Sequence, residues 1–215
     1  MGDTKNKNKT DGRLERSKKS RDLIIKAMRD LIDEGILSPT AQQVAETAQV
    51  GIRTVFRHAN DMETLFKLIT KANTKRRTKY FLKASSSGSL EERIEKLADS
   101  RAEGYKEMQN FILATASSQW RYKFLHNQYK KTIKKLKKNL HEWLPEMSKL
   151  SDEKQEMIEA IMSFEFWYRL KIHQNNSSKK TIEIIANQTK ACLLYTSSEP
   201  TRPERISVGG VWVKK

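Results

Sequence analysis

The stretch TAQQVAETAQVGIRTVFRH, residues 40–58, decides the fold of the N-terminal part of this chain. Thr40 is a natural helix N-cap, and apolar residues recur behind it at helical spacing up to a tight turn at Gln49-Val50-Gly51. A second short helix follows the turn and closes near Asn60. The apolar residues that define the inner faces of these two helices are Val44, Ala45, Ala48, Ile52, Val55 and Phe56.

The flanking sequence adds a helix on each side of this pair. Residues 17–33 place apolar side chains at steps of three and four between charged ones, which predicts an amphipathic helix that ends at Gly35. Asn60 is expected to cap a longer helix that runs to about Leu82. Residues 1–16 are polar, charged and aperiodic, and we interpret them as a flexible basic arm.

Three helices followed by a longer fourth predict a helix-turn-helix domain with a linker helix over residues 17–83. In such a unit the helix after the turn enters the major groove of duplex DNA. Arg53 and Arg57 lie four residues apart on one face of that helix, and guanidinium groups match the guanine edge or phosphate oxygens. The pattern therefore predicts binding of double-stranded DNA, with a solvated basic face as the alternative interpretation of the two arginines.

The same stretch resembles the N-terminal domain of TetR-family transcriptional regulators. That family's pattern is approximately T-x-x-x-V-A-x-x-A-G-V-S-x-x-T-[FLV]-Y-x-[HY]-F, and the resemblance spans roughly residues 17–70. Gln49 stands where the family has glycine, which implies a strained left-handed turn, and Gly51 replaces the serine that caps the recognition helix. The residues that fit the pattern directly are Thr40, Val44, Ala45, Ala48, Val50, Thr54 and His58.

The resemblance implies a homodimer that binds a palindromic DNA site through two recognition helices. Thr40 and Gln42 would contact phosphate from the start of one helix, and His58 would do so from the end of the next. Phe56 takes the place of the tyrosine that is common in the family. The DNA-binding residues that we expect are Thr40, Gln42, Arg53, Thr54, Phe56, Arg57 and His58.

The charge of the chain favours a polyanionic partner. Its 215 residues carry 42 Lys and Arg against 26 Asp and Glu, a formal net charge of +16. Residues 1–83 hold 19 basic and 10 acidic side chains and are more basic than residues 84–191, the other long segment of the chain. The lysine-rich stretch 130–138 is interpreted as a solvated helix face, with an acidic partner or a membrane surface as the alternative.

Composition excludes several classes of protein. One cysteine, Cys192, and four scattered histidines cannot build a disulfide scaffold, a zinc finger or an iron-sulfur site. No apolar run approaches the roughly 20 residues that span a bilayer, and the first residues lack a signal peptide's apolar core, so we expect a soluble protein without a membrane partner. The scarcity of cysteine indicates a reducing setting, so we expect the protein to be cytoplasmic. No nucleophile elbow, phosphate loop or pair of catalytic carboxylates occurs, so we expect neither an enzyme nor a cofactor.

Residues 84–191 predict a second helical domain after a break at residues 85–89. The resemblance implies that this domain is regulatory and dimerises through its last two helices. A small apolar or amphipathic ligand is expected, because aromatic and methionine side chains suit such a molecule, and Glu165 and His173 are polar groups beside the apolar run. The candidate ligand-binding residues, for which ordinary core packing is the alternative, are Met108, Phe111, Trp120, Tyr122, Phe124, Trp143, Met162, Phe166 and Trp167.

The leading interpretation is an all-α, ligand-responsive DNA-binding regulator that acts as a repressor. The alternative is an effector-independent DNA-binding nucleoid or structural protein on the same scaffold. A cavity in the second helical domain would favour the sensor, whereas a filled core would favour the structural role.

The final segment, residues 192–215, breaks the helical pattern with two prolines and the pair Gly209-Gly210. CLLYTS and SEPTRP resemble the translation of the transposon end and adapter used in sequencing libraries. We therefore interpret this segment as an artefactual, disordered tail that replaces the natural C-terminus. A natural disordered tail is the alternative.

Overall fold

The computed structural model describes residues 4–81 and 87–194, with side chains from residue 12 onward. Every regular element within these ranges is helical, which confirms the predicted all-α class. None of the described helices has both the length and the apolar character needed to cross a membrane. The elements in chain order are α1 (Thr4–Asp33), α2 (Ala41–Thr47), α3 (Ile52–His58), α4 (Met62–Ala72), α5 (Thr74–Phe81), α6 (Leu90–Ser118), α7 (Lys123–Trp143), a 3₁₀ turn (Pro145–Lys149), α8 (Asp152–Ile161), α9 (Phe164–Tyr168), a π turn (Arg169–His173) and α10 (Ser178–Leu194).

The caps and the turn around α2 and α3 agree with the sequence. Thr40 and Gln43 form a capping box, in which the Thr40 hydroxyl accepts from the Gln43 amide at 3.2 Å and Gln43 Oε1 accepts from the Thr40 amide at 2.9 Å. Gln49 has a φ of 54°, the left-handed conformation that costs a residue with a Cβ some strain. Gly51 is the N-cap of α3 and offers no side-chain hydrogen bond.

The first helix is longer than the sequence indicated. α1 begins at Thr4, so residues 4–16, expected as a flexible arm, form its first turns. This segment lacks an apolar stripe, but its lysines and arginines are good helix formers. The Arg16 side chain also donates to the Gly12 carbonyl at 3.0 Å.

The structure differs from the prediction at the start and in the middle of the fourth helix. Asp61 caps α4 instead of Asn60, because the Asp61 carboxylate accepts from the Thr64 amide at 2.7 Å. The helix then breaks at the buried Asn73, whose backbone amide closes α4 on Ile69 and whose carbonyl accepts from the next helix. Two helices, α4 and α5, therefore replace the single linker helix.

The second half contains longer and shorter helices than predicted. α6 is one continuous helix of 29 residues, begun by a capping box between Ser89 and Glu92. The expected helix over residues 152–173 is interrupted after Ile161, since Ser163 caps α9 by accepting from the Phe166 amide at 3.2 Å.

The last helix extends into the segment that was assigned to the tail. α10 runs to Leu194, and Leu193 is buried against the core. The adapter-like residues 195–215 lie outside the described residues, as do residues 82–86 at the expected domain boundary.

Helix α6 organises the packing of the molecule. It contacts α1, α5, α7, α9 and α10, while α1 also packs on α2, α3 and α4. A close approach involves Gly104 of α6, which lies directly against the Phe81 ring and Tyr80 of α5. Near the start of α6, the buried Arg93 donates to the Trp143 carbonyl at 2.7 Å and pairs with the Glu146 carboxylate. These contacts join α5 and α7 to the same helix.

Candidate functional sites

The exposed face of α3 brings together most of the predicted DNA-binding residues. Arg53, Phe56 and Arg57 are exposed, and Thr54 is half-buried beside them. Val55 is buried and anchors the helix to the core. Phe56, which the sequence placed on the inner face, is 45% exposed because Val55 alone fills that side of this short helix. The face thus offers two guanidinium groups and one aromatic ring to a partner.

The start of α2 holds the next two predicted contacts. The Thr40 hydroxyl is engaged in the capping box, so its structural role is established locally. Gln42 is exposed, and its amide donates to the Glu46 carboxylate at 2.7 Å. A phosphate contact from either side chain therefore competes with a hydrogen bond inside α2.

His58 is more enclosed than a phosphate contact requires. Its Nε2 atom is buried and has no hydrogen-bond partner among the described residues. Burial lowers the pKa of His58 below its ordinary value, and the nearby Arg57 and Arg21 lower it further. The neutral imidazole is therefore favoured, and its Nε2 atom is not presented to solvent in this arrangement.

A second site is a cavity of about 160 Å³ between α4, α5, α6, α7, the end of α8 and the start of α9. Thr70 belongs to α4, and Arg77 and Phe81 belong to α5, so the helices that follow α3 form part of its wall. The apolar part of the wall consists mainly of Phe81, Tyr105, Met108, Phe111, Ile112, Ile133, Leu136, Leu140, Met162 and Phe164.

Three of the predicted ligand-binding residues line this cavity: Met108, Phe111 and Met162. Trp120 is 83% exposed, because α6 ends at Ser118 and the chain turns there. The other predicted residues pack elsewhere, since periodicity identifies a buried side without showing what that side faces. Those that do not line the cavity are Trp120, Tyr122, Phe124, Trp143, Phe166 and Trp167.

Two of the aromatic residues that do not line the cavity have clear contacts elsewhere. Trp167 packs on the rings of Tyr105 and Phe164, with centroid distances of 5.8 Å each. The Phe124 ring carries the Lys67 ammonium 5.4 Å from its centroid. These residues support the cavity wall or cover neighbouring core.

Two tyrosines bring hydroxyl groups to the cavity. The Tyr129 hydroxyl donates to the Glu165 carboxylate at 2.8 Å, and burial together with this carboxylate raises the pKa of Tyr129 far above its ordinary value. The Tyr105 hydroxyl donates to the Met162 carbonyl at 2.7 Å, and burial raises the pKa of Tyr105 as well. Glu165 thus takes part in the cavity as the sequence allowed, whereas His173 lies outside it against the Tyr168 ring.

The sequence missed the basic groups of the cavity. Arg101 is buried and lines the wall, as does the half-buried Arg77. Arg101 occupies the inner-face register of α6 between Leu97 and Tyr105, and this position is the signal that could have identified it.

A polar junction connects α1, α5 and α6 beside these sites. The Arg76 guanidinium lies 3.6 Å from the Asp33 carboxylate and donates to the Glu107 carbonyl at 2.8 Å. The Asn110 amide donates to the Asp33 carbonyl at 2.9 Å. The end of α1 is therefore tied to both α5 and α6.

The helices expected at a dimer interface expose several apolar side chains. Met157 of α8, Ile172 of the π turn and Leu194 of α10 are exposed. Across the described ranges, no group of three or more His, Cys, Asp and Glu side chains is arranged to hold a metal ion. Comparison with protein-family models, curated proteins and solved structures gave no match to this chain.

Proposed function

We propose that this chain is a dimeric, ligand-responsive DNA-binding transcriptional regulator of the TetR type that acts as a repressor. The observation that carries the proposal is the α3 surface, where Arg53 and Arg57 are exposed on a helix anchored by the buried Val55. Gln49, in the turn before α3, supports the same interpretation. It has a left-handed backbone conformation, which glycine adopts without strain, and the family pattern has glycine at this position.

In this proposal α2 and α3 form a helix-turn-helix, and α3 enters the major groove. The Arg53 and Arg57 guanidinium groups donate to guanine edges or phosphates, while Thr40 and Gln42 approach the DNA backbone. A two-fold dimer would place the second α3 about 34 Å away, in the next major groove on the same side of the duplex. The DNA site is then a palindrome or close to one.

The ligand response follows from the composition of the cavity wall. Thr70, Arg77 and Phe81 come from α4 and α5, and the rest of the wall comes from α6, α7, the end of α8, the turn after it and the start of α9. A ligand that prefers one packing of α5 on α6 shifts the population of that arrangement. Because Arg76 of α5 also contacts Asp33 of α1, a movement of α5 reaches the helices that carry α3.

The cavity favours this proposal over an effector-independent nucleoid or structural protein. A volume of about 160 Å³ is large enough for a small molecule, since an apolar cavity of roughly 150 Å³ can bind benzene. A purely structural role gives no reason to keep such a space open beside a buried arginine.

Selection of bound duplexes from a random DNA library tests the proposal. The full chain should enrich a palindromic sequence, and the Arg53→Ala, Arg57→Ala double variant should not. Both proteins should show the same helical content by circular dichroism. Enrichment by the double variant, or no sequence enrichment by the unaltered chain, would contradict the proposal.

A further inference from the structure

We propose that the cavity binds a small amphipathic carboxylate, such as a benzoate-sized aromatic or short aliphatic acid, whose carboxylate is held by Arg101 and Arg77. This inference rests on the proposed sensor function, since it assigns the chemical class of the ligand of the same cavity. It is carried by a charge that the described residues do not neutralise.

Arg101 is the central group. Arg101 is only 4% exposed. Its guanidinium donates to the Leu136 carbonyl at 3.1 Å, and to the Tyr105 hydroxyl and Asn139 Oδ1 at 3.4 Å each. All three acceptors are neutral, so they solvate the guanidinium without balancing its charge. Its Nε atom is buried and has no hydrogen-bond partner in the described part of the chain. A buried charge in this condition calls for an anion.

Arg93, on the same helix, is a buried arginine whose charge is balanced by a carboxylate. It lies eight residues before Arg101 on α6 and is 7% exposed, which is nearly the same burial. Arg93, however, pairs with the Glu146 carboxylate through both of its terminal nitrogens. No described ion pair includes Arg101. The difference between the two arginines is the missing carboxylate.

The two acidic side chains that line the cavity pair with neither arginine. Glu159 pairs with Lys137 at 2.5 Å, whereas Glu165 accepts at 2.8 Å from Tyr129, a neutral group that does not balance a carboxylate charge. The wall therefore carries Arg77, Arg101 and Lys137 against two carboxylates, which leaves one positive charge unbalanced. Arg77 lines the same cavity, and the described ion pairs leave it out as well. Partial burial lowers the pKa of Arg77, which indicates an environment that disfavours its charge. Two guanidinium groups thus face one cavity without a carboxylate of their own.

The rest of the cavity selects the body of the ligand. Its wall is mainly aromatic and aliphatic, with Phe81, Met108, Phe111 and Phe164 among its members. A volume of about 160 Å³ accepts a ring or a short alkyl chain, by comparison with the roughly 150 Å³ cavity that takes benzene. An apolar body of that size with one carboxylate satisfies both the wall and the arginines.

The helix that forms one side of the cavity also attracts anions. α7 carries seven lysines and one glutamate. Lys130, Lys131, Lys134 and Lys135 are exposed, and none of them takes part in an ion pair among the described residues. Such a positive surface raises the local concentration of small anions and speeds their association. This gives the lysine-rich stretch a role beyond solvation.

Isothermal titration calorimetry on the full chain without DNA tests the inference. Sodium benzoate and sodium hexanoate are the probes, and benzyl alcohol and 1-hexanol are their neutral counterparts. We expect each acid to bind once per chain and each alcohol to bind about 30-fold or more weakly, because it cannot pair with the buried guanidinium.

Three variants locate the binding site. Arg101→Met and Arg77→Met remove a guanidinium from the cavity while keeping an unbranched side chain, and Lys106→Met removes a charge from the exposed side of α6. The Arg101 and Arg77 variants should each weaken binding of the acids while the Lys106 variant binds normally. If Arg101→Met loses its helical circular dichroism, the inference is judged from the Arg77 variant and from the ratio of acid affinity to alcohol affinity in the unaltered chain.

Equal binding of acids and alcohols, or unchanged acid binding in the Arg77 and Arg101 variants, would overturn the inference. So would the absence of acid binding at millimolar concentration. Because the titration contains no DNA, these results are separate from the duplex selection. A chain that selects a palindrome and ignores the acids would contradict the ligand class alone, and a chain that binds the acids and selects no DNA would contradict the regulator alone.

Discussion

The crossing of α5 and α6 depends on Gly104, and the substitution Gly104→Ala should loosen it. A Cβ at this position would lie 2.7 Å from two atoms of the Phe81 ring and 2.7 Å from Tyr80 Cβ. Comfortable carbon contacts are about 3.5–4.0 Å, so each contact would be short by roughly 1 Å. The Phe81 ring can rotate, but Tyr80 Cβ moves only with its backbone. The substitution therefore pushes α5 away from α6.

The expected cost combines two opposing effects. Overpacking a core costs about 1–3 kcal/mol, and we expect the upper half of this range because one of the close atoms is fixed to the backbone. Alanine in place of a glycine in a helix interior returns about 1 kcal/mol. The net loss of unfolding free energy should be about 1–2 kcal/mol, which lowers the Tm of a chain of this size by roughly 2–8 °C.

Urea denaturation at fixed protein concentration measures this loss, and Gly12→Ala provides the matched control. Gly12 lies in α1 with no atom within 4 Å of its Cβ position, so the same substitution there should stabilise the protein by up to about 1 kcal/mol. The two variants should therefore change stability in opposite directions. A Gly104→Ala protein as stable as the unaltered chain would refute the reasoning.

Three further predictions concern stability and titration. Glu146→Gln should lower the free energy of unfolding, measured in urea, by about 1–2 kcal/mol, which is less than for a fully buried pair because Glu146 is 38% exposed. Arg93 lowers the pKa of Glu146 below its ordinary 4.5, so the stabilisation by this ion pair in the unaltered chain should disappear as the pH falls below that value. Ser89→Ala should cost about 1 kcal/mol by removing the cap on the Glu92 amide, and Ser89→Thr should restore it. An NMR titration of His58 should give a pKa below 6.5, and the unfolding free energy should fall as the pH drops through that region, because protonation then favours the unfolded chain; a raised pKa would contradict the burial of its imidazole.

Local devices were predictable from the sequence because a few neighbouring residues determine them. Thr40 and Gln43 satisfy each other within one turn, and the left-handed conformation at Gln49, in the four-residue connection 48–51, is the one that the resemblance implied at this position. The all-α class follows likewise from repeated helical periodicity. Each of these features is determined by residues close together in the sequence.

The cavity was only partly predictable because its wall is tertiary. Met108 and Phe111 were identified as apolar, but so was Trp120, which became exposed when the chain turned after α6. Arg101 cannot be assigned to the cavity from the sequence alone, because a charged residue is usually solvated and the burial of this one depends on Asn139 and the Leu136 carbonyl of a different helix. The break at Asn73 likewise depends on packing that periodicity does not encode.

The most direct test of the proposed function is fluorescence anisotropy with the selected duplex. Arg57→Ala should weaken binding by about 5- to 150-fold, the loss expected for one arginine that contacts a base edge or phosphate. Lys134→Ala removes one positive charge from the exposed face of α7 and should leave DNA affinity unchanged. Binding by Arg57→Ala equal to that of the unaltered chain, or an equal loss in Lys134→Ala, would contradict recognition through α3.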